Sequence, residues 1–274
     1  MVGVDMMFFR LGLLLGLLPL ACGISQAASP KLQDCAECPV MVSLSAGNFM
    51  MGMAGDPSTV PVHQVKFNHR FAIGQTEITA AQFRFFLDRT GYNAGVSHTS
   101  PSFSPRLPAV EVDWYAASAY VRWLSRHTGQ RYRLPSEAEW DYAAHAGKSS
   151  RYWWGAAAIE GCGKEHLLST FFPFDRPCAS TQKSTLIDVA SLSANPWGLF
   201  DMQGNAGEWM QDCWNNDYKD APTDGGAVGG CDKDSVSVRV VRGPDFLDNA
   251  APRRPVDARE HSATTGFRVV RELP

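Results

Sequence analysis

The chain has little net charge and lacks the common nucleotide-binding and hydrolase motifs. Its 25 Lys and Arg residues against 28 Asp and Glu residues give a net charge of −3 over 274 residues. We therefore expect neither nucleic acid nor an anionic lipid surface as a partner. The sequence also has no glycine-rich phosphate loop and no Gly-x-Ser-x-Gly nucleophile elbow, which argues against phosphoryl transfer and serine-hydrolase chemistry.

Long apolar runs are missing, apart from one near the N-terminus. The run from Leu11 to Ala21 is too short to span a bilayer, and the small residues Ser25-Gln26-Ala27 follow it. This order predicts a secretory signal peptide over residues 1–27, and hence a periplasmic protein without a transmembrane segment. A lipoprotein anchored through Cys22 is the alternative. It is less favoured because Pro19 stands where a lipobox requires a branched apolar residue.

Cysteine is scarce, with seven residues in the chain, six of them beyond the predicted signal peptide. An even number in an exported chain predicts disulfide bonds, although several connectivities are possible. Sequence order favours the pairs Cys35–Cys38, Cys162–Cys178 and Cys213–Cys231. The first pair could instead be a redox Cys-x-x-Cys motif, but Pro39 and a strand-like run follow it, which favours a structural disulfide. A second such motif is missing, so a zinc site is not indicated.

Secondary structure is indicated by cap residues and apolar patterning. Three helices are predicted: from the capping box Thr79/Gln82 to Gly91, from Asp113 to Gly129, and from the capping box Ser136/Glu139 to Gly147. Four strands are predicted: Met41–Ser45, Val65–Ile73, Val236–Arg242 and Gly266–Arg271. The long loops are residues 93–109, 148–195 and 214–235. With no internal repeat, these elements predict one loop-rich α+β domain over residues 40–274, preceded by an N-terminal segment over residues 28–39.

The segment from Asn195 to Trp209 is the most informative stretch. It holds three glycines and two carboxylates in an irregular run, which lets carbonyl and carboxylate oxygens converge as calcium requires. The alternative is a buried loop whose side chains satisfy their own backbone. The histidines, by contrast, form no metal-ligand set, and we interpret each as a surface or core residue.

Several spaced motifs resemble those of a known family. They are Gly47-Asn48-Phe49-Met50-Met51-Gly52, Thr76-Glu77-Ile78-Thr79 with Phe83, Arg133-Leu134-Pro135-Ser136-Glu137-Ala138-Glu139-Trp140-Asp141-Tyr142-Ala143-Ala144, Asn195–Trp209, Val241-Arg242-Gly243 and Gly266-Phe267-Arg268. In this order they resemble the formylglycine-generating enzyme (sulfatase-modifying factor) family, from about residue 40 to the C-terminus. The resemblance implies a C-type-lectin-like fold. It also implies a structural calcium ion held by the Asp201 and Glu208 side chains and the Gly204 and Ala206 carbonyls, with a second site within residues 158–190.

The chain departs from the family pattern at the catalytic position. Formylglycine-generating enzymes bind copper(I) through two closely spaced cysteines, and soft thiolates are what copper(I) requires. In this chain the cysteine positions fall on Asp248 and Arg253, and no cysteine follows Cys231. We therefore expect no copper and no conversion of sulfatase cysteine to formylglycine.

The charged residues at this position suggest other chemistry. The family serine falls on Asp245, which we predict to be catalytic together with Arg253 and Arg254. Arginines bind anionic or carbonyl-rich ligands, and an aspartate can move a proton. Trp209 and Trp214 are candidate walls of the same cleft. The alternative is a solvated loop whose charges pair with one another and contribute little to the stability of the fold.

The expected function follows from exported family members without the cysteine pair. In these features the chain is similar to pyoverdine-maturation members, which implies oxidative maturation of a small, peptide-derived siderophore in the periplasm. A non-catalytic C-type-lectin-like binding module is one alternative, since fold alone does not imply catalysis. An accessory factor that binds a periplasmic oxidoreductase during its assembly is another. The sequence leaves the oligomeric state open.

Overall fold

The computed structural model describes residues 30–95, 104–156, 164, 186–231, 237–243 and 253–274. Within these ranges the helices are α1 (Ala80–Thr90), α2 (Trp114–Thr128) and α3 (Glu137–His145). The strands are β1 (Lys31–Leu32), β2 (Met41–Leu44), β3 (Gly47–Met51), β4 (His63–Phe67), β5 (Phe71–Gly74), β6 (Tyr132–Arg133), β7 (Gly207–Cys213), β8 (Val238–Arg242), β9 (Arg254–Asp257), β10 (Thr265–Gly266) and β11 (Val270–Glu272). The predicted signal peptide, the Cys162–Cys178 pair, Asp245, Asp248 and most of 158–190 lie outside the described residues.

The strands form two sheets and a separate hairpin. The larger sheet has the order β1-β2-β5-β11-β6 with antiparallel neighbours throughout. The smaller has the order β10-β7-β8-β9, in which β10 runs parallel to β7 and the other pairs are antiparallel. β3 and β4 pair with each other. This arrangement confirms the predicted loop-rich α+β class.

The larger sheet lies between two apolar clusters because side chains alternate along its strands. Met41 and Ala72 face a cluster formed with α1 and α2, while the adjacent Val42 and Ile73 face a cluster formed with α3. The large side chains of the first cluster include Phe83, Phe86, Tyr120, Trp123 and Phe267, and those of the second include Trp140, Tyr142, Leu199 and Met210. This packing fixes α3, which supplies Asp141, Tyr142 and His145 to the candidate site.

The predicted helix caps are confirmed. Capping boxes open α1 at Thr79 and α3 at Ser136, and the Asp113 side chain accepts a hydrogen bond from the third residue of α2. α1 and α2 end at left-handed glycines, as predicted. α3 ends one residue before the predicted glycine, because Ala146 itself adopts the left-handed conformation with φ 48°.

Two predicted strands are each divided in the structure. The predicted strand Val65–Ile73 is β4 and β5, separated by a turn and placed in the hairpin and the larger sheet respectively. The predicted strand Gly266–Arg271 is β10 and β11, which belong to different sheets. The single-strand prediction was wrong in both cases. The exposed polar residues Asn68-His69-Arg70 form the turn between β4 and β5, whereas buried residues, including Phe267 and Arg268, continue through the crossover between β10 and β11.

Two predicted disulfides are confirmed. The sulfur atoms are 2.13 Å apart in Cys35–Cys38 and 2.02 Å apart in Cys213–Cys231. The second bond ties the end of β7 to the loop that precedes β8. Among the described residues, none of the helices has the length and apolar character needed to cross a membrane.

Candidate functional site

A cavity of about 650 Å³ lies between the segment that begins at β3 and the C-terminal end of α3. Its volume is within the range of small-molecule sites, roughly 300–1,000 Å³. Residues of β3 and of the loop that follows line one part, and α3 with residues 147–151 lines another. Gln203, Tyr218 and Arg242 reach the cavity from three other segments. The site is thus assembled from residues far apart in the sequence.

The last turn of α3 gives the cavity a titratable pair, Asp141 and His145. Residues four apart lie on the same face of a helix, so both side chains reach the cavity. His145 Nδ1 is 2.9 Å from the Asp141 carbonyl oxygen and 3.7 Å from its Oδ1. A carbonyl oxygen only accepts, so Nδ1 donates and the neutral ring keeps Nε2 as an acceptor. His145 is therefore a candidate proton acceptor.

Arg242, at the end of β8, binds Asp141 of this pair and also Glu137. Its Nη2 donates to Asp141 Oδ1, and its Nη1 is 3.1 Å from Glu137 Oε1. Although burial alone would lower the pKa of Arg242, the neighbouring Asp141 raises it above its ordinary value, so the guanidinium stays charged. Its Nε and the Oε1 of Gln203 have no hydrogen-bond partner among the described residues, and both side chains are buried.

Glu137, the first residue of α3, is the centre of a buried charge network. Arg253 Nε lies 2.9 Å from Glu137 Oε1, and Arg253 Nη2 lies 3.0 Å from Oε2. The Tyr218 hydroxyl donates to Oε1 at 2.7 Å, and Arg242 reaches the same oxygen. Arg242 precedes residues 243–252 and Arg253 follows them. One carboxylate therefore holds both ends of the segment in which the sequence predicts the catalytic residues.

Arg253 makes further contacts on every nitrogen. Its Nη1 donates to the Ser58 carbonyl at 2.8 Å and to the Asn215 carbonyl at 2.6 Å. Its guanidinium also stacks over the Trp214 ring at 4.3 Å and the Tyr218 ring at 4.6 Å. The side chain is buried. Four of the five N–H donors of Arg253 thus bind the protein, which fixes its guanidinium in place.

The residues predicted to hold calcium lie together in a buried loop. Both Glu208 carboxylate oxygens lie 2.6 Å from Arg268 nitrogens, and Oε2 also accepts from Trp140 Nε1 at 2.8 Å. Asp201 Oδ2 accepts from the Ala190 amide at 2.8 Å. In this arrangement the set does not fit calcium, because the Glu208 carboxylate is committed to a guanidinium. Within the described part of the chain, no group of three His, Cys, Asp or Glu residues is arranged to hold a metal. Calcium at this loop stays a prediction.

Glu77, which the sequence places in a family motif without a predicted role, completes this buried cluster. Its Oε1 accepts from the Ala206 amide at 3.2 Å, and its Oε2 has no partner among the described residues. Burial raises the pKa of Glu77 well above its ordinary value, and the charges of Asp201 and Glu208 raise it further, against the opposing effect of Arg268. The protonated form is thereby favoured, which reduces the negative charge around Arg268.

Comparison with protein-family models tests the resemblance seen in the sequence. The family model for the sulfatase-modifying factor enzyme 1-like domain matches residues 26–273. The chain belongs to the sulfatase-modifying factor family. Among solved structures, PvdO from Pseudomonas aeruginosa superposes with a TM-score of 0.75 at 32% identity, covering 91% of this chain and 100% of PvdO. This likeness confirms the fold expected from the resemblance.

Curated members of the sulfatase-modifying factor family include enzymes and parts of larger proteins. The formylglycine-generating enzyme of Streptomyces coelicolor is 29% identical over 286 residues, covering 83% of this chain and 87% of the enzyme. The serine/threonine-protein kinase pkn1 of Chlamydia caviae is 31% identical over 199 residues, which is 65% of this chain. The chain spans only 28% of the length of that kinase.

One of the two positions at which the resemblance places a family cysteine lies within the described residues. Arg253, which stands at the position of one family cysteine, is a cation bound to buried Glu137. The cysteines described in the structure, Cys35, Cys38, Cys213 and Cys231, are joined in disulfides. This donor set does not fit copper(I), because no thiolate is provided at the site.

The residues predicted to be catalytic do not come together as a group. Arg253 belongs to the Glu137 network, whereas Arg254 donates from Nη2 to Thr265 Oγ1 at 2.8 Å and does not line the cavity. Burial lowers the pKa of Arg254. Asp245 lies outside the described residues. Of the two predicted cleft walls, Trp209 is fully buried in the core, and Trp214 packs on Arg253 and does not line the described cavity.

The cavity residues that the sequence analysis missed are Asp141, His145, Gln203 and Arg242. His145 was interpreted as a surface or core residue, and the structure places it in the cavity wall. One sequence signal was available, since Asp141 and His145 are four residues apart in a helix with a clear N-terminal cap. The contribution of Arg242 depends on the packing of β8 against α3 and has no local signal.

Asp212 should make the stability depend on pH. Burial, followed by the charge of Glu137, raises the pKa of Asp212 from 3.8 to about 7. The folded state therefore holds a proton that the unfolded chain releases near its ordinary pKa. This contribution is fully present below about pH 4 and is lost as the pH rises through about 7, up to about 4 kcal/mol in all.

Urea unfolding of Asp212→Asn and the parent across this pH range tests the assignment. The variant should show a flatter dependence of the free energy of unfolding on pH, because its amide does not titrate. The exposed Asp220→Asn variant serves as the control and should follow the parent. Parallel curves for Asp212→Asn and the parent would contradict the assignment.

Proposed function

We propose that the chain is a periplasmic maturation factor that acts on a small, peptide-derived substrate, in the oxidative maturation of a pyoverdine-type siderophore. The observation that carries the proposal is the cavity of about 650 Å³, which joins a titratable Asp141–His145 pair to the guanidinium of Arg242. A cavity of this size suits a compact chemical group. The alternative substrate, a sulfatase cysteine, requires copper–thiolate chemistry that this donor set does not fit.

The likeness to PvdO supports a function other than formylglycine formation. It extends over the whole of the PvdO structure at 32% identity, whereas the formylglycine-generating enzyme of S. coelicolor is 29% identical over a smaller share of this chain. The difference in identity is small. The residues of the site distinguish the two functions better, because Asp248 and Arg253 stand where the family resemblance places the two copper-binding cysteines.

The step proposed for this chain is binding and proton transfer, and the electrons that oxidative maturation removes from the substrate pass to dioxygen as the external oxidant. His145 Nε2 accepts a proton from a substrate hydroxyl or amine, and the Asp141 carboxylate, 3.7 Å from Nδ1, stabilises the imidazolium that results. Arg242 fixes Asp141 in place through an ion pair. The phenol of Tyr218, whose pKa is raised well above its ordinary value mainly by burial, stays protonated and donates to Glu137.

Deleting the gene in its host under iron limitation tests the proposed function. The expected result is loss of mature siderophore from the medium and accumulation of a reduced precursor, identified by mass spectrometry. Restoring the gene on a plasmid should restore the mature product. Normal siderophore in the deletion strain would overturn the proposal.

A binding module without catalysis is the second candidate. The contacts of Arg253 favour it, because four of the five N–H donors of this predicted catalytic residue bind the protein. Under this function the purified protein binds the precursor with unchanged affinity when His145 is replaced by asparagine, and no product forms with either protein. Product formation by the parent protein alone would exclude it.

A further inference from the structure

We infer that the cavity binds an uncharged carboxamide that is attached to an apolar group, with Arg242 Nε donating to its carbonyl oxygen and Gln203 Oε1 accepting from its N–H. The inference rests on the proposed function only in treating this cavity as the substrate site. It specifies which group of a peptide-derived substrate enters: a side-chain carboxamide or a lactam, in which the carbonyl oxygen and an N–H lie on the same side.

Two buried polar atoms in the cavity wall are the first argument. Arg242 Nε and Gln203 Oε1 have no hydrogen-bond partner among the described residues. Both residues line the cavity, and only 4% and 1% of their surface is exposed. A buried polar atom without a hydrogen bond costs free energy, so a ligand that supplies one acceptor and one donor is favoured.

The contact between the segments that carry these two atoms is the second argument. Gly243 follows Arg242, and a Cβ atom on Gly243 would lie 3.9 Å from the carbonyl oxygen of Met202, the residue before Gln203. The two side chains therefore start from neighbouring backbone positions, and one small group can reach both. A carboxamide has its acceptor oxygen and its donor nitrogen on the same carbon atom, which suits a donor and an acceptor on adjoining segments.

The surroundings of Arg242 favour a neutral ligand over a carboxylate. Nη1 and Nη2 of its guanidinium pair with Glu137 and Asp141, so two carboxylates already face this cation. A carboxylate ligand would also place an acceptor against Gln203 Oε1, and neither of two acceptors can donate a hydrogen bond. A carboxamide avoids both costs, because it is uncharged and carries an N–H.

The apolar part of the lining suits the substituent that carries the carboxamide. Phe49 and Tyr142 pack with ring centroids 5.5 Å apart and give the cavity an aromatic wall. Met50 and Val62 also line the cavity, yet 56% and 38% of their surface is exposed. An apolar group that covers these side chains removes apolar surface from water, which favours binding in proportion to the area covered.

Calorimetric titration of the parent protein with matched probes tests the inference. Benzamide carries the carboxamide on an apolar ring, acetophenone has a methyl group in place of the amide nitrogen, benzoate has a charged oxygen there, and acetamide lacks the ring. Benzamide should bind about tenfold more tightly than each of the other three, because they leave either Gln203 without a donor or the apolar wall uncovered. Isoindolinone, the lactam analogue of benzamide, distinguishes the two sources of the group. Tighter binding than benzamide identifies a lactam, and weaker binding identifies a side-chain carboxamide.

Gln203→Met gives a second readout. Methionine has a similar volume and no hydrogen-bonding amide, so the affinity for benzamide should fall about tenfold, to that for acetophenone, while the affinity for acetophenone stays unchanged. The variant without ligand should be no less stable to urea than the parent, because Gln203 Oε1 has no partner to lose among the described residues. A purely structural role for Gln203 would lower this stability instead.

Gln130→Met is the matched control, because Gln130 is half-buried and does not line the cavity. Its affinity for every probe should equal that of the parent. Equal binding of benzamide and acetophenone, tighter binding of benzoate than of benzamide, an unchanged benzamide affinity in Gln203→Met, or no binding at millimolar benzamide would each overturn the inference.

The gene-deletion result is independent of these titrations. Carboxamide-dependent binding together with normal siderophore in the deletion strain would retain this ligand class and reject the siderophore function. Loss of mature siderophore in the deletion strain without benzamide binding would retain the function and reject the ligand class.

Discussion

Glu137→Gln is expected to lower the free energy of unfolding by about 3–5 kcal/mol, the cost typical of breaking a buried ion pair on one side. The glutamine keeps the size of the side chain but removes the charge that Arg242 and Arg253 share. Both guanidiniums are buried, so neither can recover its hydration without local unfolding. Urea denaturation measures the loss directly. Glu37→Gln, at an exposed position, is the control and should change stability by less than about 0.5 kcal/mol.

A double-mutant cycle separates the network from a general loss of packing. Arg253→Gln alone should also be strongly destabilising, because it leaves Glu137 with fewer partners. The double variant should lose much less than the sum of the two single variants, since the interaction is shared. Additive losses would show that the two residues act independently, and a loss below about 1 kcal/mol for Glu137→Gln would contradict a central role for this carboxylate.

Glu208→Gln is expected to cost a similar amount, about 3–5 kcal/mol, because it leaves the fully buried Arg268 without its counter-charge. Arg268 also donates to the Gly74 and Phe200 carbonyls, so the ion pair joins the larger sheet to the Asn195–Trp209 loop. Thermal and urea unfolding of the variant and the parent measure the cost.

The same variant distinguishes the ion pair from the calcium ligand that the family resemblance predicts. The stability loss should be equal in calcium and in a chelator, because Arg268 and not a metal neutralises Glu208. A loss that appears only in the presence of calcium would assign Glu208 to the metal and contradict the ion-pair account. Elemental analysis of the purified protein then gives the number of bound calcium ions.

Local features of the sequence predicted local structure well. Thr79, Asp113 and Ser136 each mark a helix start, because a side-chain oxygen that satisfies a free backbone amide at a helix end acts over only a few residues. The pairs Cys35–Cys38 and Cys213–Cys231 were also predicted correctly, because each joins two cysteines that follow one another in the sequence. The division of the predicted strand Gly266–Arg271 was not foreseen, because its residues stay buried from β10 to β11 although these two strands belong to different sheets.

The site was only partly predictable because its contacts join distant residues. Glu137 and Arg253 are 116 positions apart, and Arg242 and Asp141 are 101 positions apart. The charged residues between 245 and 259 led to the prediction that Arg253 is catalytic. Their spacing in the sequence does not show whether a buried carboxylate faces Arg253. The sequence therefore located the segment, while the packing of α3 determined which of its charges are structural and which residues line the cavity.

Complementation of the deletion strain with cavity variants tests the central claim most directly. His145→Asn removes the proposed proton acceptor, whereas His127→Asn changes an exposed histidine on α2 that does not line the cavity. With both proteins present at parental levels in the periplasm, mass spectrometry of the medium should find mature siderophore with His127→Asn and the accumulated precursor with His145→Asn. Full maturation with His145→Asn would contradict the assignment of this cavity as the site of the reaction.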